Sequence, residues 1–263
     1  MNRLRVAAVQ TSPVFGEVER NLDDALSRVP EGLDLAVLPE LFATGYQFRD
    51  REELDRYAQT REGPICARLR THAAATGTTL VAGLAERDAG RVFNSSVLVR
   101  PDGSTEFYRK VHLFWDEKAI FEPGDLGFPV FEACGTTVGM MVCFDWVFPE
   151  AARSLALAGA QVLCHPSNLV LAFCPDAMIT RCLENRVFAL TANRTGSEER
   201  IAGKRLDFSG LSQICGPLGA APERMGATDV GAVSSTIDLA QADKSLTPRN
   251  DLWEDRRPDQ YRL

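Results

Sequence analysis

Two stretches of this chain run through the same succession of patterns, and that duplication restricts the folds open to it. In 4–40, "LRVAAVQ" reads as a short buried strand. A helix follows near 17–29 with Leu22, Ala25, Leu26 and Val29 on one face, and "LDLAVLPE" is a second strand closing on Pro39. In 136–167 the strand is "TTVGMMVCF" (136–144), the helix "FPEAARSLALAGA" (148–160), and the closing strand "QVLCHPS" ends on a proline again. The order of patterns repeats, while the residues do not. Strand–helix alternation with inserted hairpins predicts a layered α/β fold.

The remaining segments fit that plan. Pro64 opens a helix with Ile65, Leu69, His72 and Ala73 on its inner face. Strands are expected at 78–86, 93–100 and 105–110, the last two joined by the turn residues "PDG". A helix at 176–187 is expected to turn Met178, Ile179, Cys182 and Leu183 inward, followed by a strand at 188–194 and glycine-punctuated strands within 209–219 and 231–239. The tail from about 245 to 263 has no clear period and is expected to lie over the body or reach a neighbouring subunit. No linker or low-complexity run divides the chain, so 1–263 reads as one domain.

Bulk properties narrow the function classes. The net charge of −7 and the lack of a lysine–arginine cluster argue against nucleic acid as a partner. The apolar stretch "VAAV" near the start is too short for a signal peptide or a membrane span. Seven cysteines, an odd number with no C-x-x-C pair, point to reduced thiols in a cytoplasm. His72, His112 and His165 lack paired metal-ligand spacing, so neither metal nor cofactor is expected. A G-x-G-x-x-G, a P-loop and a complete serine nucleophile elbow are likewise missing.

Chemistry in α/β folds gathers at strand ends. Three ends here carry reactive groups: Glu40 after "LAVLP", Lys110 after "TEFYR" and Cys143 after "GMMV". Alone, each has a plain alternative: a solvated loop carboxylate, a lysine guarding an edge, a small buried thiol. Together they make a device in which a carboxylate takes a thiol proton, sulfur attacks carbon and an ammonium holds the oxyanion. The helix starting at Pro149 is expected to favour the thiolate further.

"PELFATGY" around Glu40, "YRKVHLF" around Lys110 and "CFDWVFPE" around Cys143, in that order, resemble the signature regions of the nitrilase superfamily of carbon–nitrogen hydrolases. "FEPGD", "RCLENRVFAL" and "DRRPDQY" extend the resemblance over nearly the whole chain. It implies a four-layer αββα sandwich, a Glu40–Lys110–Cys143 triad, and subunits paired through helices of the kind at 148–160 and 176–187 into a homodimer or higher homo-oligomer. A second glutamate that positions substrate matches Glu117, with Glu122 lying too close to the turn. The implied activity is hydrolysis of a short aliphatic amide to acid and ammonia through a thioester, with a nitrile or N-carbamoyl substrate as alternatives.

Within that frame the backbone N–H of Phe144 is expected to help Lys110 hold the oxyanion. Tyr46, Trp146, His165 and Asn168 are expected to narrow the substrate pocket. An N-carbamoyl acid would want a cation, for which Arg181 and Arg194 are candidates. Two other classes stay open: a catalytically silent scaffold, and a thiol redox sensor with Cys134 or Cys164 as the resolving thiol.

Overall fold

The computed structural model describes residues 3–262. Each duplicated unit becomes the parallel centre of one six-stranded sheet. In the first sheet, β1 (Arg3–Gln10), β2 (Leu35–Val37) and β3 (Thr79–Asp88) are parallel neighbours. β4 (Arg91–Val99) and β5 (Thr105–Arg109) extend one side antiparallel, and β14 (Gly231–Asp238) closes the other. In the second, β7 (Thr136–Met140), β8 (Val162–Pro166) and β9 (Phe188–Ala192) are the parallel trio. They are flanked by β6 (Val130–Ala133) on one side and by β12 (Gln213–Cys215) and β13 (Glu223–Arg224) on the other. Two short ribbons, β10 (Ser197–Glu198) with β11 (Leu206–Asp207) and β15 (Ser245–Thr247) with β16 (Asn250–Asp251), complete the strands.

Strand alternation explains the layers, because successive side chains face opposite ways. Leu4, Val6 and Ala8 of β1 and Leu35 and Val37 of β2 point into a core shared with Val138, Met140 and Val162 of the second sheet. Ala7 and Ala36 face outward, onto Leu22, Ala25 and Leu26 of α1 (Val18–Ser27) and Ile65, Cys66, Leu69 and Ala73 of α3 (Pro64–Thr76). The second sheet is covered by Ala152, Leu155 and Ala156 of α5 (Pro149–Leu157) and Cys174, Met178 and Cys182 of α6 (Cys174–Asn185). The result is an αββα sandwich. No helix among the described residues is long and apolar enough to cross a membrane.

Several local expectations change. The strand expected over 136–144 stops at Met140, and Cys143 opens a 3-10 turn, Cys143–Val147. Leu183, expected inward, is 48% exposed, because α6 turns Met178, Cys182 and Asn185 to the core. His72 is only half-buried beside the inward Leu69 and Ala73. A short helix, α2 (Arg51–Tyr57), was not expected. Only its Leu54 is buried, so it carries no apolar period, although Asp50 caps it by accepting from the Glu53 N–H at 2.8 Å. In the tail, Trp253 packs against the core with the Arg153 and Lys244 cations over its ring.

Candidate active site

Glu40 lies three residues past β2, held by a ladder that outlasts the strand: Leu38 N–H donates to Val81 O, and Gly83 N–H to Pro39 O. Gly83 is required there. A Cβ at that position would stand 2.5 Å from Glu40 Cα, so only glycine lets β3 pass so close. The carboxylate is fully buried; its Oε1 accepts from Asn94 Nδ2 at 2.7 Å and from Lys110 Nζ at 2.8 Å.

Lys110 follows β5, and its backbone is fixed on both sides, N–H to Asn94 O and C=O from Gly124 N–H. A Cβ at Gly124 would come within 2.1 Å of Arg109 O, which explains the glycine of "FEPGD". The buried ammonium also donates to Glu117 Oε1 at 2.8 Å. Glu117 begins the one-turn helix α4 (Glu117–Ile120). Its Oε1 takes the Tyr46 hydroxyl at 2.7 Å and its Oε2 the Phe114 N–H at 2.9 Å. Glu122 points elsewhere, 3.7 Å from Arg51.

Cys143 has a φ of 42°, a left-handed backbone that a non-glycine residue adopts only when its surroundings impose it. Two buried side chains do so. Asp145 accepts from Val142 N–H and Tyr108 O–H on Oδ2, and from the His112 backbone N–H and ring Nδ1 on Oδ1. His165 is hydrogen-bonded through Nε2 to the Cys143 carbonyl at 2.9 Å. This corrects the expectation that His165 lines the pocket: it lies fully buried behind the cysteine. Burial lowers its pKa to about 4, so the ring is neutral, Nε2–H donates to Cys143 and the Thr191 hydroxyl donates to Nδ1.

The titration pattern follows from burial and neighbouring charge. Burial pushes the Cys143 thiol well up, and the Glu40 charge adds to this. Burial rather than the helix at Pro149 governs the thiol and holds it towards its protonated form, so its attack requires a base. Burial also raises Glu40, against the opposing pull of Lys110. For Lys110, burial alone would lower the pKa, but the carboxylates of Glu117 and Glu40 prevail and keep it an ammonium. Glu40, Lys110 and Cys143 thus stand as base, cation and nucleophile in one buried site, as acyl transfer requires.

Cys143 opens into a small cavity of about 10 Å³ walled by Phe114, Phe144, Trp146, Asn168 and Leu169. The Cys143 thiol faces Asn168 O at 3.7 Å. Tyr46 and Glu117 lie on a neighbouring cavity of about 30 Å³ that shares Phe114. Arg181 and Arg194 are both committed elsewhere. Arg181 reaches Trp146 O, Val147 O and Glu184, and buried Arg194 pairs with Glu198 and Pro13 O. Cys134 precedes β7 and Cys143 follows it, a separation of roughly 17 Å along five residues of strand. Cys164 sits inside β8 opposite Met140. Neither is placed to resolve an oxidised Cys143.

Residues 5–244 match the family model described as carbon–nitrogen hydrolase. The chain belongs to that family. This carbon–nitrogen hydrolase is 44% identical to a nitrilase of Pyrococcus abyssi over 98% of its own length and 99% of the relative's. It is 32% identical to an (R)-stereoselective amidase of a Pseudomonas species, over 97% and 92%. Among solved structures, an amidase from a Nesterenkonia species superposes with a TM-score of 0.79 at 28% identity, covering 97% of this chain and 94% of that one.

The residues that sequence reasoning missed in this hydrolase support others. Asn94 holds both Glu40 and Lys110, and Asp145 and His112 shape the cysteine turn. Glu198 accepts from the backbone N–H groups of Tyr46 and Gln47 and so sets the tyrosine over Glu117. Asp145 lies two residues past Cys143 in "CFDWVFPE", where an acid so close to the thiol is a local signal. Asn94 and Glu198 carry no local signal, because their partners lie far away in sequence.

Proposed function

We propose that this carbon–nitrogen hydrolase converts a short aliphatic amide to its carboxylic acid and ammonia through a thioester on Cys143. Glu40 takes the thiol proton as sulfur bonds to the carbonyl carbon, and the oxyanion rests on the Lys110 ammonium and the Phe144 N–H at the opening of the 3-10 turn. The C–N bond then breaks, and the nitrogen takes the proton from Glu40 and leaves as ammonia. Water next gives a proton to Glu40 while its oxygen attacks the thioester; the C–S bond breaks, and sulfur recovers the proton. Glu117 holds Lys110 from the side opposite Glu40.

The observation that carries this reading is the single ammonium shared at 2.8 Å by two buried carboxylates, in the site of a buried thiol. The tightness and largely apolar walls of the cavity beside Cys143 support a short acyl chain. The engagement of Arg181 and Arg194 by other groups speaks against an N-carbamoyl acid. A core drawn from both sheets supports one hydrolase domain, and seven free thiols support a reducing, cytoplasmic setting. Exposed Leu157 and Leu183 on the outer helices, with Phe173 at their edge, support a homodimer through α5 and α6. Light scattering on Leu183→Glu tests the dimer.

The decisive assay is ammonia release from a panel of short amides and nitriles. Wild type is expected to release ammonia from amides and Cys143→Ala to release none. Undiminished release by Cys143→Ala removes the thioester reading.

A further inference from the structure

Two buried acceptors on residues around Cys143 are satisfied by no protein group. Among the described residues, Glu40 Oε2 and Asn168 Oδ1 have no hydrogen-bond partner. The orientation of the Asn168 amide is fixed by chemistry. Its Nδ2 donates at 2.8 Å to the Glu40 backbone oxygen, which can only accept, so Oδ1 must face the other way. Asn168 is 3% exposed, lines the cavity into which Cys143 opens, and offers its backbone oxygen to the thiol. Its neighbours on that wall, Phe114, Trp146 and Leu169, present apolar side chains.

We propose that Asn168 Oδ1 accepts an N–H of the scissile amide and, together with Glu40 Oε2, selects substrates whose leaving group carries N–H. This rests on the thioester reading above. Donors and acceptors are then sorted across the site. Lys110 awaits the carbonyl oxygen, while Asn168 and Glu40 await the nitrogen, so a primary amide fits in one orientation. An ester of the same acid sets an oxygen lone pair against Oδ1 and leaves it unpaired, and that is where polar sites discriminate most strongly. A ligand that reaches Oδ1 must therefore bring a donor of its own.

The test compares kcat/KM for a short primary amide and the methyl ester of the same acid. In Asn168→Ala the amide-to-ester ratio is expected to fall about ten- to a hundredfold. Asn168→Asp keeps an acceptor oxygen, so its ratio is expected to stay within about threefold of wild type even as both rates drop with the lost brace on Glu40. Equal losses on both substrates in Asn168→Ala, or a collapsed ratio in both variants, overturns the proposal and leaves the thioester reading intact. Should Asn168→Ala not fold, binding to Cys143→Ala decides, since no adduct can form there. The primary amide is expected to bind at least about tenfold tighter than the methyl ketone of matched shape, and equal affinity overturns the proposal. Ammonia release surviving in Cys143→Ala is the separate result that removes the underlying reading.

Discussion

Tyr108 donates its hydroxyl to Asp145 Oδ2 at 2.7 Å, and that bond ties the strand leading to Lys110 to the turn that carries Cys143. The two belong to different sheets, so Asp145 sets the distance between ammonium and sulfur. In Asp145→Asn two of the four donors converging on the side chain meet an NH2 group instead of an oxygen. A loss of about 1–3 kcal/mol of stability is expected, read as a Tm drop of several degrees. With the turn loosened, kcat is expected to fall more than KM rises. Unchanged kcat in a folded Asp145→Asn protein would falsify the positioning role.

The shared ammonium predicts unequal roles for its two carboxylates. Glu40 is the base, so Glu40→Gln is expected to lower kcat by roughly 10²–10⁴-fold. Glu117 holds the ammonium without taking a proton, so Glu117→Gln is expected to cost less in kcat than Glu40→Gln. Mass spectrometry of the amide reaction adds a second readout: Glu117→Gln is expected to accumulate acyl-enzyme, while Glu40→Gln is not. Equal rates in the two variants would contradict the division of labour.

The pH dependence follows from the directions of the shifts. Burial raises Glu40, and a base works only when ionised, so activity is present above the raised Glu40 pKa and lost as pH falls through it. The acid limb of kcat/KM is therefore expected above the ordinary carboxylate value of about 4.5. Lys110 is the charge that pulls Glu40 back down. Lys110→Met is expected to move the limb to higher pH, measurable as the pH profile of Cys143 alkylation. A limb that stays put in that variant refutes the coupling.

Gly83→Ala tests the close passage of β3 beneath Glu40. The added Cβ meets backbone, which cannot rotate aside. Overpacking of this kind costs about 1–3 kcal/mol. Because the displaced atom is Glu40 Cα, activity is expected to fall further than in a surface variant of equal Tm. A Gly83→Ala enzyme with wild-type Tm and rate would show that the passage is looser than 2.5 Å implies.

Two parallel trios, their covering helices and the approach of Glu40, Lys110 and Cys143 to one edge follow from patterns within single segments: apolar runs, helical periods, prolines and strand-end polar residues. These are local signals, and periodicity reports them because a strand or helix face is defined by neighbours in sequence. The left-handed turn at Cys143, His165 behind it rather than in the pocket, the Asn94 brace and the free acceptor of Asn168 were decided only by the tertiary structure. Each depends on at least one partner lying between 22 and 128 residues away in the chain. Which buried polar groups find partners, and which are left to a ligand, is settled only when distant strand ends are packed together. No segment of sequence carries that information alone.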